Sequence, residues 1–269
     1  MKNTGLLKHH TILFNMKQLM LAAAACAALS LASCKKDTDE NTNQPGTTTR
    51  ILKKMTRTEN GQSTVFTYSY DAASKRLNGY TSNTGTEHAE FTYDNAGNLI
   101  EVDETEANFH NIYSYSYVNN KPATATFKSW QITGGGNTLI EDDALTYTVT
   151  GNRVTAIHLV MSDGTEEDFA LTYDGNGELV SSVSATPDLY AATFTWGNKR
   201  SPFPQVSKWV LDQAGFSMQL YAQRDNLSAA FDFPGTMFDT TLTTTYTYDA
   251  AGYPLTATQG NVTMTFEYQ

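Results

Sequence analysis

Ten carboxylates fall in three short segments that contain no lysine or arginine, at residues 103–106, 141–143 and 163–168. They are Asp103, Glu104, Glu106, Glu141, Asp142, Asp143, Asp163, Glu166, Glu167 and Asp168. Clustered carboxylate oxygens suit Ca²⁺, and like charges repel unless a cation intervenes, so a calcium or cationic-ligand site is one hypothesis. The alternative is solvated loop charge that protects strand edges.

Three tryptophans, Trp130, Trp196 and Trp209, are candidates for binding a carbohydrate, because an indole ring can stack on a sugar ring. Packing in the core is the competing interpretation, since large aromatic side chains usually serve there. Paired carboxylates also raise glycoside hydrolysis, but that reaction needs two carboxylates about 5 to 9 Å apart, a distance that no sequence gives.

The sequence contains no strong catalytic signature: we find no HExxH, no GxSxG, no phosphate-binding loop and no dinucleotide fingerprint. After residue 34 the histidines are His88, His110 and His158, and their spacing assembles no metal site. We therefore predict a protein that is not an enzyme, with no catalytic residue and no cofactor apart from the hypothetical calcium.

Cys34 carries the most specific chemical prediction. An apolar run at residues 19–31 is too short to span a bilayer but suits the core of a secretory signal. It ends in Leu-Ala-Ser-Cys at residues 31–34, which resembles the bacterial lipobox. The resemblance implies a signal peptide at residues 1–33, with a true start at Met16 if the gene start is over-long, and lipidation of the Cys34 sulfur. An ordinary thiol is the alternative.

Residues 34–50 are predicted to be the lipidated cysteine and a flexible tether, because they contain charged and small polar residues and almost nothing to bury. A random coil of this length reaches about 20 Å. The charged residues directly after the cysteine resemble export signals on surface lipoproteins of the Bacteroidetes. That resemblance implies an outer-membrane lipoprotein on the cell surface, and a periplasm-facing lipoprotein is the alternative.

The net charge argues against a nucleic-acid partner. The chain has 18 basic and 28 acidic residues, a formal net charge of −10. Without Lys2, Lys8 and Lys17 of the signal peptide, 15 basic residues remain against 28 acidic ones, a net charge of −13. This is the wrong sign for coating a polyanion. The expected partners are the membrane, through the lipid anchor, and a glycan or an envelope protein.

A repeat of about 25 residues runs through residues 51–269, which we predict to be a single domain. Its aromatic anchor residues are Tyr70, Tyr93, Tyr117, Tyr147, Tyr173, Trp196, Tyr248 and Tyr268. The 52-residue step from Trp196 to Tyr248 predicts a hidden copy near Tyr221. In the clear copies the tyrosine is followed by Asp and then by Gly, as YDxxG. The aspartate can bond its own backbone and the glycine can supply positive φ, so each copy predicts a strand end and a hairpin tip.

Alternation predicts which face of each strand is buried. Phe66, Tyr68 and Tyr70 share one face, while Thr67 and Ser69 share the other. We expect the aromatic face to line an interior and the hydroxylic face to meet water. Two strands per repeat give about 14 to 16 strands, and a sheet of that size twists and curls. The predicted fold is all-β, a long antiparallel meander curled into a barrel or an open half-barrel.

Two segments interrupt the rhythm. Residues 199–204 contain two prolines, which forbid a central strand and predict a loop or an edge insertion. Residues 225–240 are predicted to be a long loop, with the alternative that they form a packed excursion plugging an open end of the sheet.

The YDxxG copies are similar to YD repeats of the RHS type, whose strands wind into β shells. The chain as a whole resembles uncharacterised Bacteroidetes lipoproteins with a C-terminal domain described as porin-like. Together the resemblances cover residues 50–269. A membrane-spanning barrel is an alternative, but it needs strands of about 9 to 11 residues with an apolar outward face. We predict a tethered non-enzymatic lipoprotein that acts as a binding or structural module at the cell envelope; the alternative is a glycan-binding or carbohydrate-active surface lipoprotein.

Overall fold

The computed structural model describes residues 50–186, 189–212 and 221–269. The predicted signal peptide and Cys34 lie outside these ranges. Within them the chain forms 17 strands of one antiparallel sheet, one more than the predicted upper number. The strands are β1 (Leu52–Glu59), β2 (Gln62–Tyr70), β3 (Leu77–Ser82), β4 (His88–Tyr93), β5 (Leu99–Glu106), β6 (Phe109–Val118), β7 (Lys121–Thr133), β8 (Gly136–Thr150), β9 (Arg153–Val160), β10 (Glu166–Tyr173), β11 (Leu179–Ser184), β12 (Ala191–Arg200), β13 (Arg224–Asp232), β14 (Thr240–Thr243), β15 (Thr245–Tyr248), β16 (Pro254–Gln259) and β17 (Val262–Tyr268).

The meander closes on itself because β1 pairs with both β2 and β17. Each strand pairs with the next along the chain, except that β14 pairs with β13 and β15 pairs with β16. The change of partner at Thr244 leaves one unsealed seam in a nearly closed barrel. Side chains bridge the seam: the Tyr248 hydroxyl donates to Asp225 Oδ2 over 2.7 Å. The predicted all-β barrel or half-barrel is confirmed.

The predicted division of faces is confirmed as well. On β2, Phe66 and Tyr68 are buried, while Thr67 and Ser69 are exposed. On β12, Phe194 is buried between exposed threonines. The buried hydrophobic residues of the strands join one aromatic and aliphatic core inside the barrel. Because burial of apolar surface contributes about 25 cal/mol per Å², this continuous core is the main source of stability.

The outer wall is hydroxylic. Cross-strand pairs of threonine and serine hydroxyls lie on it, such as Thr172 with Ser181 and Thr247 with Thr256, both at 2.6 Å. A barrel that crosses lipid needs an apolar outward band instead. Among the described residues, no helix is long and apolar enough to cross a membrane.

The YDxxG turns form as the motif predicts. Gly97, Gly177 and Gly252 have φ angles of 87°, 97° and 80°, in the region that favours glycine. Asp174 Oδ1 accepts from the backbone N–H groups two and four residues on, over 2.8 and 3.0 Å. Burial would raise the pKa of Asp174, but hydrogen bonds from Glu178 and Arg224 outweigh it and lower that pKa to about 2.

The motif aromatic residue has a second role that the motif does not predict. The tyrosine hydroxyl, or the indole N–H in the tryptophan copy, donates a hydrogen bond to a main-chain carbonyl near the start of the preceding strand, as Tyr93 does to Leu77 over 3.0 Å. The same bond joins Tyr70 to Leu52, Tyr117 to Leu99, Tyr173 to Val154, Trp196 to Leu179 and Tyr268 to Pro254. This repeated bond satisfies strand-end carbonyls at one mouth of the barrel, which we call the motif end.

The structure places the packed excursion after the first irregular segment, 199–204, and not in the second, 225–240. Residues 225–232 form β13, and the excursion is instead the connection 201–223 between β12 and β13. Val206, Trp209, Val210, Leu211 and Tyr221 of its described part join the barrel core, and the Tyr147 hydroxyl on β8 donates to the Leu211 carbonyl over 2.6 Å. The expected hairpin copy near Tyr221 is wrong, because Tyr221 is a buried residue of this connection. The interior is thus filled by an inserted segment.

Candidate functional site

The acidic segments lie at the mouth opposite the motif end, as predicted, but most of them are not loops. Residues 103–106 belong to β5, 141–143 to β8 and 166–168 to β10. The loop assignment is wrong because acidic residues, which are uncommon in strands, alternate here with the period of two that a strand requires. Asp163 alone lies in a turn, where it accepts from the Thr165 N–H over 2.9 Å.

Because successive side chains of a strand point to opposite faces, half of these carboxylates point into the barrel. Asp103, Asp142, Glu166 and Asp168 lie on the outer wall, while Glu104, Glu106, Glu141, Asp143 and Glu167 lie on the inner wall. Glu141 is 3% exposed, so its carboxyl group is withdrawn from bulk water. We call the inward set the inner acidic wall. Charged side chains are seldom fully buried, so this wall is the unusual feature of the interior.

Two other polar residues continue the inner acidic wall. The register places Glu104 opposite Asn111, Asn111 opposite Ser129, and Ser129 opposite Glu141, which makes one row across β5 to β8. Ser129 Oγ donates to Asn111 Oδ1 over 2.7 Å. At the β5 end of the row, the Tyr80 hydroxyl donates to Glu104 Oε1 over 2.5 Å. The row is therefore a strip of polar side chains across four strands of the inner wall, with hydrogen bonds between Ser129 and Asn111 and between Tyr80 and Glu104.

Burial raises the pKa of three carboxyl groups of the inner acidic wall, those of Glu104, Glu141 and Asp143. Burial, with a smaller effect from the nearby Asp143 charge, raises the pKa of Glu141 to about 8. Burial raises the pKa of Asp143 to about 6 although the Ser162 N–H opposes the change, and burial also raises the pKa of Glu104. Within the described ranges, no lysine, arginine or histidine forms an ion pair with Glu104, Glu141 or Asp143. Glu141 is thus a neutral acid near pH 7, able to donate a hydrogen bond.

Tyrosines line the wall beside these acids. Tyr113 stacks on Phe127 with ring centroids 4.5 Å apart, and Tyr115 lies next to Tyr113. Burial raises the pKa of both phenols, with smaller effects from Glu104 and Asp212. The protonated Glu141, the phenols and the Asn111 amide offer hydrogen bonds without adding charge. In the described part of the chain, no group of three or more His, Cys, Asp or Glu is placed to hold a metal ion.

The three candidate tryptophans have different surroundings. Trp196 is half-buried, and its Nε1 donates to the Leu179 carbonyl over 2.6 Å. Trp209 is 3% exposed inside the barrel, and its Nε1 has no acceptor among the described residues. Trp130 alone lies on the outer wall, on the long β7–β8 hairpin. Only Trp130 therefore presents an indole to a ligand in solution.

Trp130 belongs to a small exposed surface that we call the Trp130 patch. It consists of Trp130, His110, Asp103 and Leu139. The His110 and Trp130 rings stack with centroids 5.3 Å apart and planes at 27°. His110 Nε2 lies 2.8 Å from Asp103 Oδ1, which fixes the orientation of the imidazole. Leu139, paired with Trp130 across the hairpin, is 47% exposed. The patch therefore combines an aromatic face with a carboxylate, an imidazole and an exposed aliphatic side chain.

Sequence reasoning missed the residues that join the elements of the site. Asn111, Ser129 and Tyr80 gave no signal, because only the strand register places them beside the acids. The cluster of Glu178 and Arg224 was missed for the same reason. Glu178 Oε1 accepts from the Arg224 N–H over 3.0 Å, and the Arg224 guanidinium binds Asp174, so the start of β13 is fixed to a YDxxG turn.

Comparisons with solved structures find chains that are similar to this one. A porin-like protein from Bacteroides vulgatus ATCC 8482 matches with a TM-score of 0.52 at 11% identity, covering 82% of this chain and 99% of that one. A porin-like protein from Bacteroides uniformis ATCC 8492 matches with a TM-score of 0.48 at 18% identity, covering 81% of this chain and 96% of its own. The structure of TcdB2-TccC3-TEV has a TM-score of 0.30 at 14% identity and covers 77% of this chain but 13% of its own.

Sequence comparisons give no relative: no protein-family model matches the chain, and no curated protein matches it. The likeness to the B. vulgatus protein shows that the two chains share a fold. At this identity it shows nothing about ligand or location, so the function must be argued from the residues of this chain.

Proposed function

We propose that this protein is an outer-membrane lipoprotein, lipidated at Cys34, whose barrel is a non-enzymatic binding or structural module in the water beside the membrane. The cell surface is the proposed location, rather than the periplasmic face. Its proposed partners are the membrane, through the lipid, and a glycan or an envelope protein.

The observation that carries this proposal is the hydroxylic outer wall. A wall of threonine and serine hydroxyls does not enter lipid, because each unsatisfied polar group there costs several kcal/mol. A protein with such a wall needs another means of staying at the membrane. The lipobox-like residues 31–34 and the polar segment 35–49 supply one, because several acyl chains on one cysteine hold a domain firmly.

The connection 201–223 supports a binding or structural role over transport. Its buried residues, among them Val206, Trp209 and Val210, occupy the barrel interior together with the wall aromatics. An interior packed in this way leaves the outer wall and the two mouths as the surfaces on which a partner binds. The non-enzymatic assignment is likewise a proposal, supported by the absence of any catalytic signature in the sequence.

The test is metabolic labelling with an alkyne fatty acid, comparing the natural chain with Cys34→Ser. We expect label on the natural chain in the membrane fraction, and an unlabelled, released protein for the variant. Protease added to intact cells then tests the location, since a surface domain is cleaved and a periplasmic one is protected. An unlabelled natural chain, or an equally labelled variant, contradicts lipidation at Cys34.

A second candidate function, glycan binding, is favoured by the Trp130 patch. Trp130→Ala removes the stacking face, and we expect at least about a tenfold loss of affinity for any glycan that the natural chain binds on an array. Val183→Ala, which shortens another exposed apolar side chain on the outer wall, is the matched control. Binding that survives Trp130→Ala rules out the patch. Release of reducing sugar by the natural chain would assign cleavage instead of binding.

A further inference from the structure

The motif end of the barrel carries a ring of exposed cations. We call this ring the basic mouth; it consists of Arg50, Lys75, Arg76, Lys121, Lys199 and Arg200, all exposed. Lys75 and Arg76 lie in the β2–β3 turn, Lys121 begins β7, and Lys199 and Arg200 end β12. In an antiparallel meander every second turn falls at the same mouth, so the topology brings together residues that are far apart in sequence.

Several members of the basic mouth are free to meet a partner. Arg50 pairs with Asp249, and Arg76 lies over the Tyr93 ring at 5.6 Å from its centroid. Lys75, Lys121 and Lys199, by contrast, form no ion pair with any described residue. Three solvated ammonium groups therefore project from one end of a chain whose net charge is strongly negative.

The motif aspartates, such as Asp94 and Asp174, also lie at the basic mouth, where they accept hydrogen bonds within their own turns. The opposite mouth is much richer in carboxylates. The inner acidic wall lies there, and outward carboxylates such as Asp142, Glu166 and Asp168 surround it. The barrel is consequently a charge dipole along its axis. At physiological salt the Debye length is about 8 Å, so a charged surface close to one mouth acts on that mouth and hardly on the other.

The chain enters the barrel at the basic mouth. Ile51 exchanges two backbone hydrogen bonds with Gln269, and the Arg50 N–H donates to the Tyr253 hydroxyl over 3.2 Å. Residues 35–49, which precede this anchored point, therefore join the domain at its cationic end. A lipid on Cys34 would hold that same end within about 20 Å of the headgroups.

We propose that the basic mouth is a membrane-docking surface that lies against anionic phosphate headgroups and directs the acidic mouth away from the bilayer. The proposal rests on the lipidation proposed above and adds a contact that the tether alone does not require. Its occupant is a bilayer surface, because a flat arrangement of separate cations around a mouth fits a layer of phosphates better than one small anion.

The orientation is measured with two labelled variants of the full, lipidated chain. Ala73→Cys lies at the basic mouth, and Gly135→Cys lies at the tip of the β7–β8 hairpin at the acidic mouth. Each fluorophore is tested against a headgroup-attached quencher in phosphatidylcholine vesicles with and without phosphatidylglycerol. We expect at least twofold stronger quenching at residue 73 when phosphatidylglycerol is present. Equal quenching, stronger quenching at residue 135, or none at either position overturns the proposal.

A charge variant tests the cause of the orientation. Each cation near an anionic surface raises partitioning by about fivefold, so Lys75→Glu, Lys121→Glu and Lys199→Glu together should abolish the difference between the two labels. Lys128→Glu, toward the acidic mouth on the outer wall, is the matched control and should leave the difference unchanged. A difference that persists in the triple variant contradicts an electrostatic contact.

A last measurement separates this proposal from lipidation. The chain with Cys34→Ser is sedimented with phosphatidylglycerol vesicles at low and high salt. We expect weak, salt-sensitive binding that falls at least tenfold in the triple variant, whether or not the natural chain is acylated. No binding at low salt contradicts the basic mouth as a docking surface, while an unacylated natural chain contradicts only the tether.

Discussion

Replacing Glu141 by glutamine removes an ionisable group from the inner wall and keeps the shape of the side chain. Glu141 is 3% exposed, and burial raises its pKa from 4.5 to about 8. A folded-state pKa above the unfolded value means that stability is fully present below pH 4.5 and is lost as the pH rises toward 8. Glutamine cannot ionise, so Glu141→Gln should not show this loss.

The size of the effect follows from the pKa. One pKa unit corresponds to about 1.4 kcal/mol, so the rise from 4.5 to about 8 means that full ionisation of Glu141 costs the folded state about 5 kcal/mol. For a domain of this size, that cost lowers the melting temperature by roughly 10 °C. We expect Glu141→Gln and the natural chain to melt together at pH 5, and the variant to melt well above the natural chain at pH 9.

The assay is thermal unfolding followed by circular dichroism across this pH range. Asp142→Asn is the matched control, since Asp142 is the adjacent residue of β8 but points outward and pairs only with Lys128 over 3.2 Å. An exposed pair of this kind contributes about 0.5 kcal/mol, so the control should follow the natural chain at every pH. An identical pH dependence in Glu141→Gln and the natural chain would refute the burial argument.

Three further substitutions test the packing of the barrel, each by the free energy of unfolding in denaturant. Gly177→Val places a β-branched residue at a φ of 97° and should lower the free energy of unfolding by about 1 to 3 kcal/mol. The control is Gly175→Ala, at a neighbouring glycine without positive φ, which should lower it by less than about 0.5 kcal/mol. Equal losses contradict the assigned turn. Tyr93→Phe should cost about 1 kcal/mol, and no loss means that its bond to a strand-end carbonyl is not formed. Tyr147→Phe should cost a similar amount and expose the connection 201–223 to protease, and an unchanged cleavage rate contradicts the anchoring of that connection by Leu211.

The local parts of the fold could be predicted from the sequence because their causes are local. A YDxxG turn needs only its own aspartate and glycine, as at Asp174 and Gly177, and face selection needs only alternation, as at Phe66 and Tyr68. The sequence also predicts at which end of the barrel the acidic segments lie, because the direction of successive strands is set once the turns are placed.

The remaining features depend on partners that are distant in sequence. Nothing near Thr244 signals that the strand changes partner there, so the seam could not be predicted. The 52-residue step from Trp196 to Tyr248 predicts a hairpin copy near Tyr221, but spacing alone does not distinguish a segment that pairs in the sheet from one that packs inside it. The sequence predicts residues 225–232 to be irregular, but they form β13. Their own β propensity is ordinary, and the pairing of β13 with β12 stabilises the strand.

The candidate site shows the same limit. The sequence shows directly that the three segments are acidic. Which of their carboxylates point inward, however, depends on each segment being a strand. The long reach of β7 and β8 puts Trp130 on the surface, and the burial of Trp209 follows from the connection that carries it. Sequence alone could not separate these two tryptophans.

The intact mass of the mature protein extracted from membranes is the most direct test of the proposed tethered barrel. The account predicts a chain that begins at Cys34 and carries the added mass of fatty acyl groups on that residue. A membrane-extracted chain that begins elsewhere, or that has Cys34 without acyl mass, would contradict it.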